Sequence, residues 1–288
     1  MKKSEILIFN YKEVEELKYK DLKRGFLYGD GIFETLIARN IKIFRFDQHW
    51  ERLEKGAYVC NFEIPCREKL KRLIGKILDK YKFNTSYIRI NLWRKKPDSF
   101  SPQKNSQTNS LIIIREFKPY PEKFYKEGIR CIVSKKIRRN EKSLISKIKS
   151  FNYLENIILK IEAERENFND AIVLNTSDYI CEGSLSNIFF IKNEKIYTPS
   201  VECGCLNGIT RKILFEICKK KGIVIKEGLF KLEFLKNCDE VFLTNTLMGI
   251  MPVKEIKGYF KTKEFKITEY LIEKYNEILK EEMACVKI

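Results

Sequence analysis

Apolar positions recur along this chain at two spacings, which predict alternating strands and helices. Short apolar runs typical of strands occur at Ile6–Phe9, Phe33–Ala38, Tyr87–Trp93, Ser110–Arg115, Gly128–Lys135, Ala171–Asn175, Asn187–Ile191 and Val241–Thr244. Apolar residues at helical spacing occur at Asp47–Val59, Arg67–Lys82, Asn152–Glu166, Arg211–Lys221 and Thr268–Met283. This alternation predicts an α/β fold with mixed sheets.

Three of the predicted helices carry a clear apolar stripe, and such a stripe is typical of a face that packs on a core. Asp47 is the candidate N-cap of the first helix. The stripes consist of Trp50, Leu53 and Ala57; of Leu154, Ile157, Ile158 and Ile161; and of Ile213, Leu214, Ile217 and Cys218.

Two prolines in Lys118–Glu122 (KPYPE) mark the best candidate for a linker. A chain of 288 residues is long enough for two domains of ordinary size. We therefore predict an N-terminal α/β domain at residues 1–118, an interdomain linker at 119–127 and a C-terminal domain at 128–288.

Composition narrows the classes of function. Hydrophobic residues make up 44% of the chain and interspersed charged residues 33%, as in a globular enzyme or binding protein. No segment has the roughly 20 apolar residues of a membrane span, or the apolar core of a secretory signal. We expect a cytoplasmic protein without membrane contact. The formal charge is +17, but the lysines are scattered, which favours an anionic small-molecule substrate over nucleic acid.

Histidine and cysteine usage argues against a metal centre. His49 is the only histidine, and none of the nine cysteines forms a CxxC pair. Cys203 and Cys205 are the closest pair, and no second pair completes a metal site. A Ser-His or Cys-His relay would also have to use His49 itself.

Four segments carry candidate chemistry. They are Tyr28–Thr35 (YGDGIFET) followed by His49–Leu53 (HWERL), Lys149–Asn156 (KSFNYLEN), Tyr179–Ile188 (YICEGSLSNI) followed by Asn207–Arg211 (NGITR), and Asp239–Val253 (DEVFLTNTLMGIMPV). Their order and spacing resemble the class IV aminotransferases, which use pyridoxal 5′-phosphate (PLP). The family includes branched-chain aminotransferases, D-amino-acid aminotransferases and 4-amino-4-deoxychorismate lyases.

The resemblance covers nearly the whole chain and implies a two-domain, fold-type IV architecture like that of D-amino-acid aminotransferase. The C-terminal domain would bind PLP, with the cofactor in the cleft between the domains. A homodimer is also implied. Lys149 would carry the cofactor as a Schiff base, because it has the family's K-x-x-N-x-L spacing and its neighbours Lys142 and Lys147 do not.

The resemblance also implies the other contacts to the cofactor. Glu182, in a turn between two strands, would face the pyridine nitrogen and keep it protonated, so that the ring acts as an electron sink. The remaining residues would bind the phosphate and the phenolic oxygen. Arg52 would grip the phosphate, Ile209 and Thr210 would donate backbone N–H groups at a helix start, Thr246 would add a hydroxyl, and Tyr153 would bond the phenolic oxygen.

Two departures from the family pattern stand out, and one position matches it. Asn207 replaces a frequent proline, a change that also occurs in the lyase branch. Lys95 follows Arg94 where the family often has Arg-Gly, which puts the local loop shape in doubt. His49 is at the family's histidine position, and we interpret it as structural.

The segment Thr244–Val253 discriminates best between the family's reactions. Branched-chain enzymes usually read S/T-G-T-A-A-E-I/V-T-P-V there, whereas this chain has Asn245 for the glycine and Leu247 and Met248 for the alanines. The motifs are therefore most similar to 4-amino-4-deoxychorismate lyase, which forms 4-aminobenzoate and pyruvate in folate biosynthesis. Asn152–Leu154 instead looks like the branched-chain enzymes, so branched-chain or D-amino-acid transamination remains the alternative.

Substrate contacts are the least specific part of the interpretation. A planar guanidinium pairs well with a carboxylate, so Arg89 and Arg94 are the candidates, although outward-facing strand arginines are equally expected. Tyr28 and Phe33 are candidates for the substrate pocket or for ordinary core positions.

Overall fold

Two β-sheets organise the chain in the computed structural model, which describes residues 4–95, 100–101 and 107–284. The described residues divide into two compact units. Unit 1 is formed from Met1–Lys118, Ile148–Asn152 and Leu279–Ile288, and unit 2 from Pro119–Lys147 and Tyr153–Ile278. The mixed α/β fold predicted from the sequence is confirmed. The division into domains 1–118 and 128–288 with a linker at 119–127 stays a prediction.

Unit 1 is built on an antiparallel sheet of six strands in the order β2-β1-β6-β5-β3-β4. The strands are β1 (Glu5–Phe9), β2 (Lys12–Val14), β3 (Gly31–Arg39), β4 (Lys42–Ile43), β5 (Thr85–Arg94) and β6 (Thr108–Glu116). The helices are α1 (Tyr19–Tyr28), α2 (Phe46–Cys60) and α3 (Arg67–Tyr81).

Helices α2 and α3 share a hydrophobic core with one face of this sheet. Alternate strand residues such as Ile88 and Ile90 pack with the predicted stripe of α2, and all of these side chains are buried. The predicted N-cap was wrong. Asp47 is the second residue of α2 and pairs with Arg67 and Lys71 of α3.

Unit 2 contains a mixed sheet of nine strands in the order β12-β11-β10-β13-β14-β7-β8-β9, with β15 paired to β14. The strands are β7 (Ile129–Arg139), β8 (Asp170–Asn175), β9 (Ile180–Gly183), β10 (Asn187–Lys192), β11 (Lys195–Pro199), β12 (Ile225–Gly228), β13 (Glu240–Asn245), β14 (Gly249–Ile256) and β15 (Phe260–Lys261). The helices are α4 (Glu122–Glu127), α5 (Leu154–Arg165), α6 (Ile209–Lys220) and α7 (Lys266–Met283), of which the residues up to Ile278 belong to unit 2. Across residues 4–95, 100–101 and 107–284, no helix combines the length and apolar character that crossing a membrane requires.

The predicted apolar stripes of α5 and α6 differ in burial. The stripe of α6 is buried, as expected. On α5, by contrast, Leu154, Ile157 and Ile161 are 67%, 52% and 39% exposed, and the buried residues are Leu159, Glu162 and Ala163. Glu162 is buried because its carboxylate accepts hydrogen bonds from the Ser134 hydroxyl at 2.6 Å and the Lys135 amide at 2.8 Å.

A buried carboxylate caps helix α7. Glu240 of β13 accepts from the amides of Ile267 at 2.9 Å and Thr268 at 2.8 Å, two of the donors that a helix start leaves without intrahelical partners. Further along the helix, the ring of Tyr275 lies 3.0 Å from where a Cβ of Gly249 would be. Gly249 has φ +64° and opens β14. The cap therefore helps to place Tyr275 against the start of this strand.

We expect Glu240→Gln to destabilise the protein by about 1–3 kcal/mol, because a neutral amide replaces a charged acceptor of two buried N–H groups. Hydrogen exchange of the Ile267 and Thr268 amides should accelerate, and the urea midpoint should fall. Glu264→Gln is the control, since Glu264 is exposed and pairs with Lys266 at the surface. Equal exchange rates in the two variants would contradict the cap.

Candidate active site

Lys149 lies on a short extended segment that pairs with the start of β3. The Phe33 amide donates to the Lys149 carbonyl at 2.9 Å, and the Phe151 amide donates to the Gly31 carbonyl at 2.9 Å. A Cβ at Gly31 would lie 2.4 Å from the Phe151 ring, so the close approach of the two segments requires glycine. These contacts fix the backbone from which the Lys149 side chain projects.

The ring of Phe33 gathers two cationic side chains. The Lys149 Nζ lies 4.6 Å from the ring centroid and the Arg89 Cζ lies 3.7 Å from it, both within cation–π range. The Arg89 Nε also donates to the Asn91 Oδ1 at 2.8 Å. Three residues predicted to be functional are thus brought together, and their two positive charges favour an anionic ligand.

Arg52 forms a two-pronged ion pair with Glu34. Its Nε lies 2.7 Å from Oε1 and its Nη2 lies 2.8 Å from Oε2, and the Nδ1 of His49 lies 2.7 Å from the same Oε2. Glu34 and His49 are each 1% exposed and Arg52 is 12% exposed. Glu34 therefore sets the orientation of Arg52, a role that the sequence analysis missed although Glu34 lies within the YGDGIFET motif.

The charges in this cluster follow from burial and pairing. Burial alone would raise the pKa of Glu34, but the charge of Arg52 and the hydrogen bonds from Arg52 and His49 lower it to about 2. Burial lowers the pKa of His49, and the interaction with Glu34 offsets this only in part. At neutral pH His49 is thus uncharged, and its Nδ1–H donates to the ionised Glu34.

Glu182 lies inside β9 rather than in the predicted turn, and it is buried. Its Oε1 accepts from the Arg139 Nε at 2.9 Å, and its Oε2 accepts from the Leu206 amide at 3.1 Å. Arg139 is itself buried and also donates from Nη1 to Glu155 at 2.7 Å. This role of Arg139 could not be predicted from the sequence, because a contact between residues 43 positions apart leaves no local pattern.

The start of helix α6 forms a cradle of backbone donors in unit 2. Gly208 occupies the N-cap position, and no side chain within the described part of the chain caps this helix, so its first N–H groups suit an anion. Ile209 and Thr210 are buried at the first two helical positions. The Asn187 Nδ2 donates to the Leu206 carbonyl at 2.7 Å, and a Cβ at Gly208 would lie 2.1 Å from the Asn187 Oδ1.

Thr246 lies in the turn that joins β13 to β14, next to Asn245. The Asn245 Oδ1 accepts from the amides of Leu247 at 3.0 Å and Met248 at 2.9 Å, and its Nδ2 donates to the Leu185 carbonyl at 3.3 Å. The Asn245 side chain therefore stabilises the turn from inside with two hydrogen bonds and connects it to Leu185 with a third.

The other predicted residues have diverse surroundings. Tyr153 is half-buried at the N-cap position of α5. Arg94 is 3% exposed and directs its donors to Asp30 and to the carbonyls of Cys60 and Asn61, so it helps to hold the fold of unit 1. Tyr28 ends α1 and is 43% exposed.

The groups present fit the predicted cofactor. Within unit 1 the candidate group is the Lys149 amine, and within unit 2 it is the buried Glu182 carboxylate, which Arg139 holds. The hydroxyls of Ser186 and Thr244 in unit 2 are buried without a hydrogen-bond partner among the residues that the structure describes. Buried polar atoms normally have partners, so these hydroxyls and the α6 N–H groups suit a polar ligand that is not part of the chain.

The Glu34 cluster predicts a specific acid sensitivity. Because the folded-state pKa of about 2 lies below the ordinary 4.5, the ionised carboxylate stabilises the fold fully above pH 4.5 and loses this effect as the pH falls toward 2. The unfolding free-energy difference between wild type and Glu34→Gln should shrink by on the order of 3 kcal/mol across that window. Urea unfolding of the apoprotein measures it, with the exposed Glu51→Gln as control. A pH-independent difference would contradict the assignment.

Comparisons with known proteins agree with this set of groups. The profile described as "Amino-transferase class IV" matches residues 31–256. A putative branched-chain-amino-acid aminotransferase from Methanocaldococcus jannaschii is 32% identical over 280 residues, 94% of this chain and 96% of the relative. An aminodeoxychorismate lyase from Bacillus subtilis is 31% identical over 251 residues, 86% of this chain and 84% of the relative.

One relative is much longer than this chain. Branched-chain-amino-acid aminotransferase-like protein 2 from Arabidopsis thaliana is 32% identical over 234 residues, which are 80% of this chain but 42% of that relative. The chain thus corresponds to less than half of that protein.

Solved structures share the fold. The branched-chain amino acid aminotransferase of Escherichia coli superimposes with a TM-score of 0.89 over 99% of this chain and 98% of that chain, at 23% identity. The T.th. branched-chain amino acid aminotransferase, solved with pyridoxamine 5′-phosphate, has a TM-score of 0.87 over 96% of this chain and 94% of that chain, at 26% identity. The chain therefore belongs to the class IV aminotransferases, and the predicted cofactor, pyridoxal 5′-phosphate, is confirmed as that of its family.

Proposed function

We propose that this chain is a 4-amino-4-deoxychorismate lyase, which supplies 4-aminobenzoate for folate biosynthesis. The observation that carries the proposal is the Asn245 turn. Its side chain binds the amides of Leu247 and Met248 and the carbonyl of Leu185, so asparagine has a structural role here that glycine lacks. The surrounding N-T-L-M-G-I-M-P-V sequence resembles the lyase branch. Relatives named for transamination and for the lyase reaction have similar identity, 32% and 31%, so the proposal rests on the turn rather than on overall similarity.

The cofactor contacts are assigned residue by residue. Bound PLP supplies an electrophilic aldehyde and an electron-withdrawing ring. We propose that Lys149 binds the aldehyde carbon, that Glu182 faces the pyridine nitrogen and that Tyr153 bonds the phenolic oxygen. The proposed phosphate ligands are the guanidinium of Arg52, the N–H groups of Ile209 and Thr210 and the hydroxyl of Thr246.

Lys149 would also handle the proton of the reaction. In the proposed elimination, the amino group of the substrate replaces Lys149 on the aldehyde carbon, and the freed amine would take the proton from the ring carbon that bears this amino group. The electron pair left on that carbon forms the new ring double bond as the C–O bond to the enolpyruvyl group breaks, and the oxygen leaves with the electrons of that bond. The enolpyruvyl fragment becomes pyruvate when it is protonated, and the ring becomes aromatic as 4-aminobenzoate. Atoms and charge balance without a co-reactant.

Arg89 is the proposed contact for a substrate carboxylate. Arg89 is half-buried, and its guanidinium lies against the Phe33 ring. Its side chain is on the same face of the strand as Asn91, and the Lys149 amine contacts the same Phe33 ring. A guanidinium in this position can pair with both oxygens of a carboxylate. Arg94 is the weaker candidate, because its guanidinium already contacts Asp30 and two backbone carbonyls.

We propose that the chain forms a homodimer and that the exposed stripe of α5 contributes to the interface. Leu154, Ile157 and Ile161 expose 67%, 52% and 39% of their surface on one helix, and Leu185 nearby in unit 2 exposes 43%. An apolar stripe of this kind is more often covered by another protein surface than by water.

The central test is a lyase assay beside a transamination panel. Wild-type enzyme should release 4-aminobenzoate and pyruvate in equal amounts from 4-amino-4-deoxychorismate. Lys149→Ala should lose the cofactor's imine absorbance and at least about 10³-fold in rate, because both the covalent anchor and the proton carrier are removed. Lys147→Ala is the matched control. Exchange between glutamate and 2-oxoisocaproate without lyase activity would replace the proposal by branched-chain transamination.

The dimer has its own test. Ile157→Ser removes apolar area from the stripe and should weaken self-association at least about tenfold, since a buried isoleucine contributes roughly 1.5–3 kcal/mol. Analytical ultracentrifugation measures the dissociation constant. Glu164→Ser changes an exposed residue of the same helix and should leave it unchanged. A monomeric wild type, or equal constants for both variants, would exclude the interface.

A further inference from the structure

Arg139 is the one residue of its basic stretch that is buried. Lys135, Lys136 and Arg138 are exposed, whereas Arg139 is 7% exposed and ends β7. Its Nε donates to Glu182 at 2.9 Å and its Nη1 donates to Glu155 at 2.7 Å. One guanidinium therefore holds two carboxylates with different nitrogens, which is a use of arginine's planar fork that a lysine cannot reproduce.

An irregularity in β7 places Arg139 at this point. Val133 pairs with Ile172 and Arg138 with Leu174, so residues 134–137 stand opposite the single residue Val173. The bulge is held by the Glu162 carboxylate through the Ser134 hydroxyl and the Lys135 amide. Bulges re-aim side chains next to functional sites, and this one is fixed by a dedicated buried acid.

The surroundings of the Arg139–Glu182 pair favour the form in which the guanidinium is positive and the carboxylate is negative. Burial would lower the pKa of Arg139, but the charges of Glu182 and Glu155 raise it overall. A buried carboxylate beside a permanent cation stays ionised, whereas the same carboxylate without the cation has a strong tendency to take up a proton. The Glu182 side chain is further oriented by the Leu206 amide at 3.1 Å.

We propose that Arg139 is a positioning residue for the cofactor acid: it fixes the Glu182 carboxylate and keeps it negative, so that the shared proton resides on the pyridine nitrogen. The inference rests on the proposed function of Glu182. Without the cation, Glu182 retains the proton itself, and the ring loses the positive charge that makes it an electron sink. Chemistry slows, while the contacts to the substrate are unchanged.

The experiment compares Arg139→Met, Arg139→Lys and Glu182→Gln, with the neighbouring Arg138→Met as matched control. Arg138 is exposed and pairs with Asp178 at the surface. Each protein is titrated with PLP as apoenzyme to obtain a dissociation constant. Each is then loaded with PLP labelled with ¹⁵N in the ring, and the nitrogen chemical shift reports whether the pyridine carries a proton. Values of kcat and KM complete the set.

We expect Arg139→Met to raise the PLP dissociation constant at least about tenfold and to move the ¹⁵N shift toward the unprotonated pyridine. It should lower kcat at least about 100-fold with KM changed less than about threefold. Arg139→Lys should keep the protonated shift and recover part of kcat, because it restores charge without the fork. Arg138→Met should match wild type.

The outcomes separate the inference from the function on which it rests. If Glu182→Gln leaves the ¹⁵N shift and PLP affinity at wild-type values, the role of Glu182 fails and the inference with it. If Glu182→Gln changes both but Arg139→Met does not, only the inference is overturned. If Arg139→Met does not fold, the Arg139→Lys variant provides the test. Wild-type values of kcat and PLP affinity in that variant would contradict the inference that the arginine guanidinium is required to fix the Glu182 carboxylate.

Discussion

The position of Lys149, the proposed Schiff-base lysine, depends on a short backbone pairing between two segments that are distant in the sequence. Residues 149–151 pair with the first residues of β3 through bonds from Phe33 and Phe151, with Ile32 opposite Ser150. The pairing brings Lys149–Phe151 against Gly31–Phe33, although the two segments lie far apart in the sequence. Gly31 is required because any Cβ there would enter the Phe151 ring. Because the backbone of a paired segment is fixed, the Lys149 side chain can adopt few positions. This restriction suits an amine that is proposed to bond to a single atom, the aldehyde carbon of the cofactor.

Burial of charge is the second constraint, and both units meet it with arginine. Glu34 is buried against Arg52 and His49, and Glu182 is buried against Arg139 and a backbone amide. A buried carboxylate without such partners would take up a proton. Each pair therefore preserves a negative charge at a defined point, and in return each carboxylate fixes the direction of its arginine. The two pairs have different proposed purposes. Glu34 orients Arg52, the proposed phosphate ligand, whereas Arg139 orients Glu182, the proposed partner of the pyridine nitrogen.

The sequence predicted elements with strong local periodicity and missed relations that depend on pairing between distant segments. Helices α2, α3 and α6 were found because their apolar residues recur at helical spacing. The buried face of α5 was predicted wrongly, because the sequence does not show that the inward-facing Glu162 has two donors in β7, the Ser134 hydroxyl and the Lys135 amide. Motifs identified Glu182 and Arg52, but their partners Arg139 and Glu34 lie 43 and 18 residues away in the chain. The periodicity of apolar residues does not show which charged side chains form ion pairs in the folded protein.

The proposal of elimination rather than transamination depends on how the Asn245 turn is built. With glycine at position 245, the amides of Leu247 and Met248 would have no side-chain acceptor inside the turn. Asparagine binds both amides and ties the turn to Leu185, so those N–H groups are committed to the protein. In unit 1, the Arg89 guanidinium lies against Phe33 and donates to Asn91, and it is the side chain that we propose for the substrate carboxylate. Under the proposed lyase function, we therefore expect the Asn245 substitution to change reaction specificity through these committed backbone donors, while the proposed PLP-binding residues keep the motifs of the family.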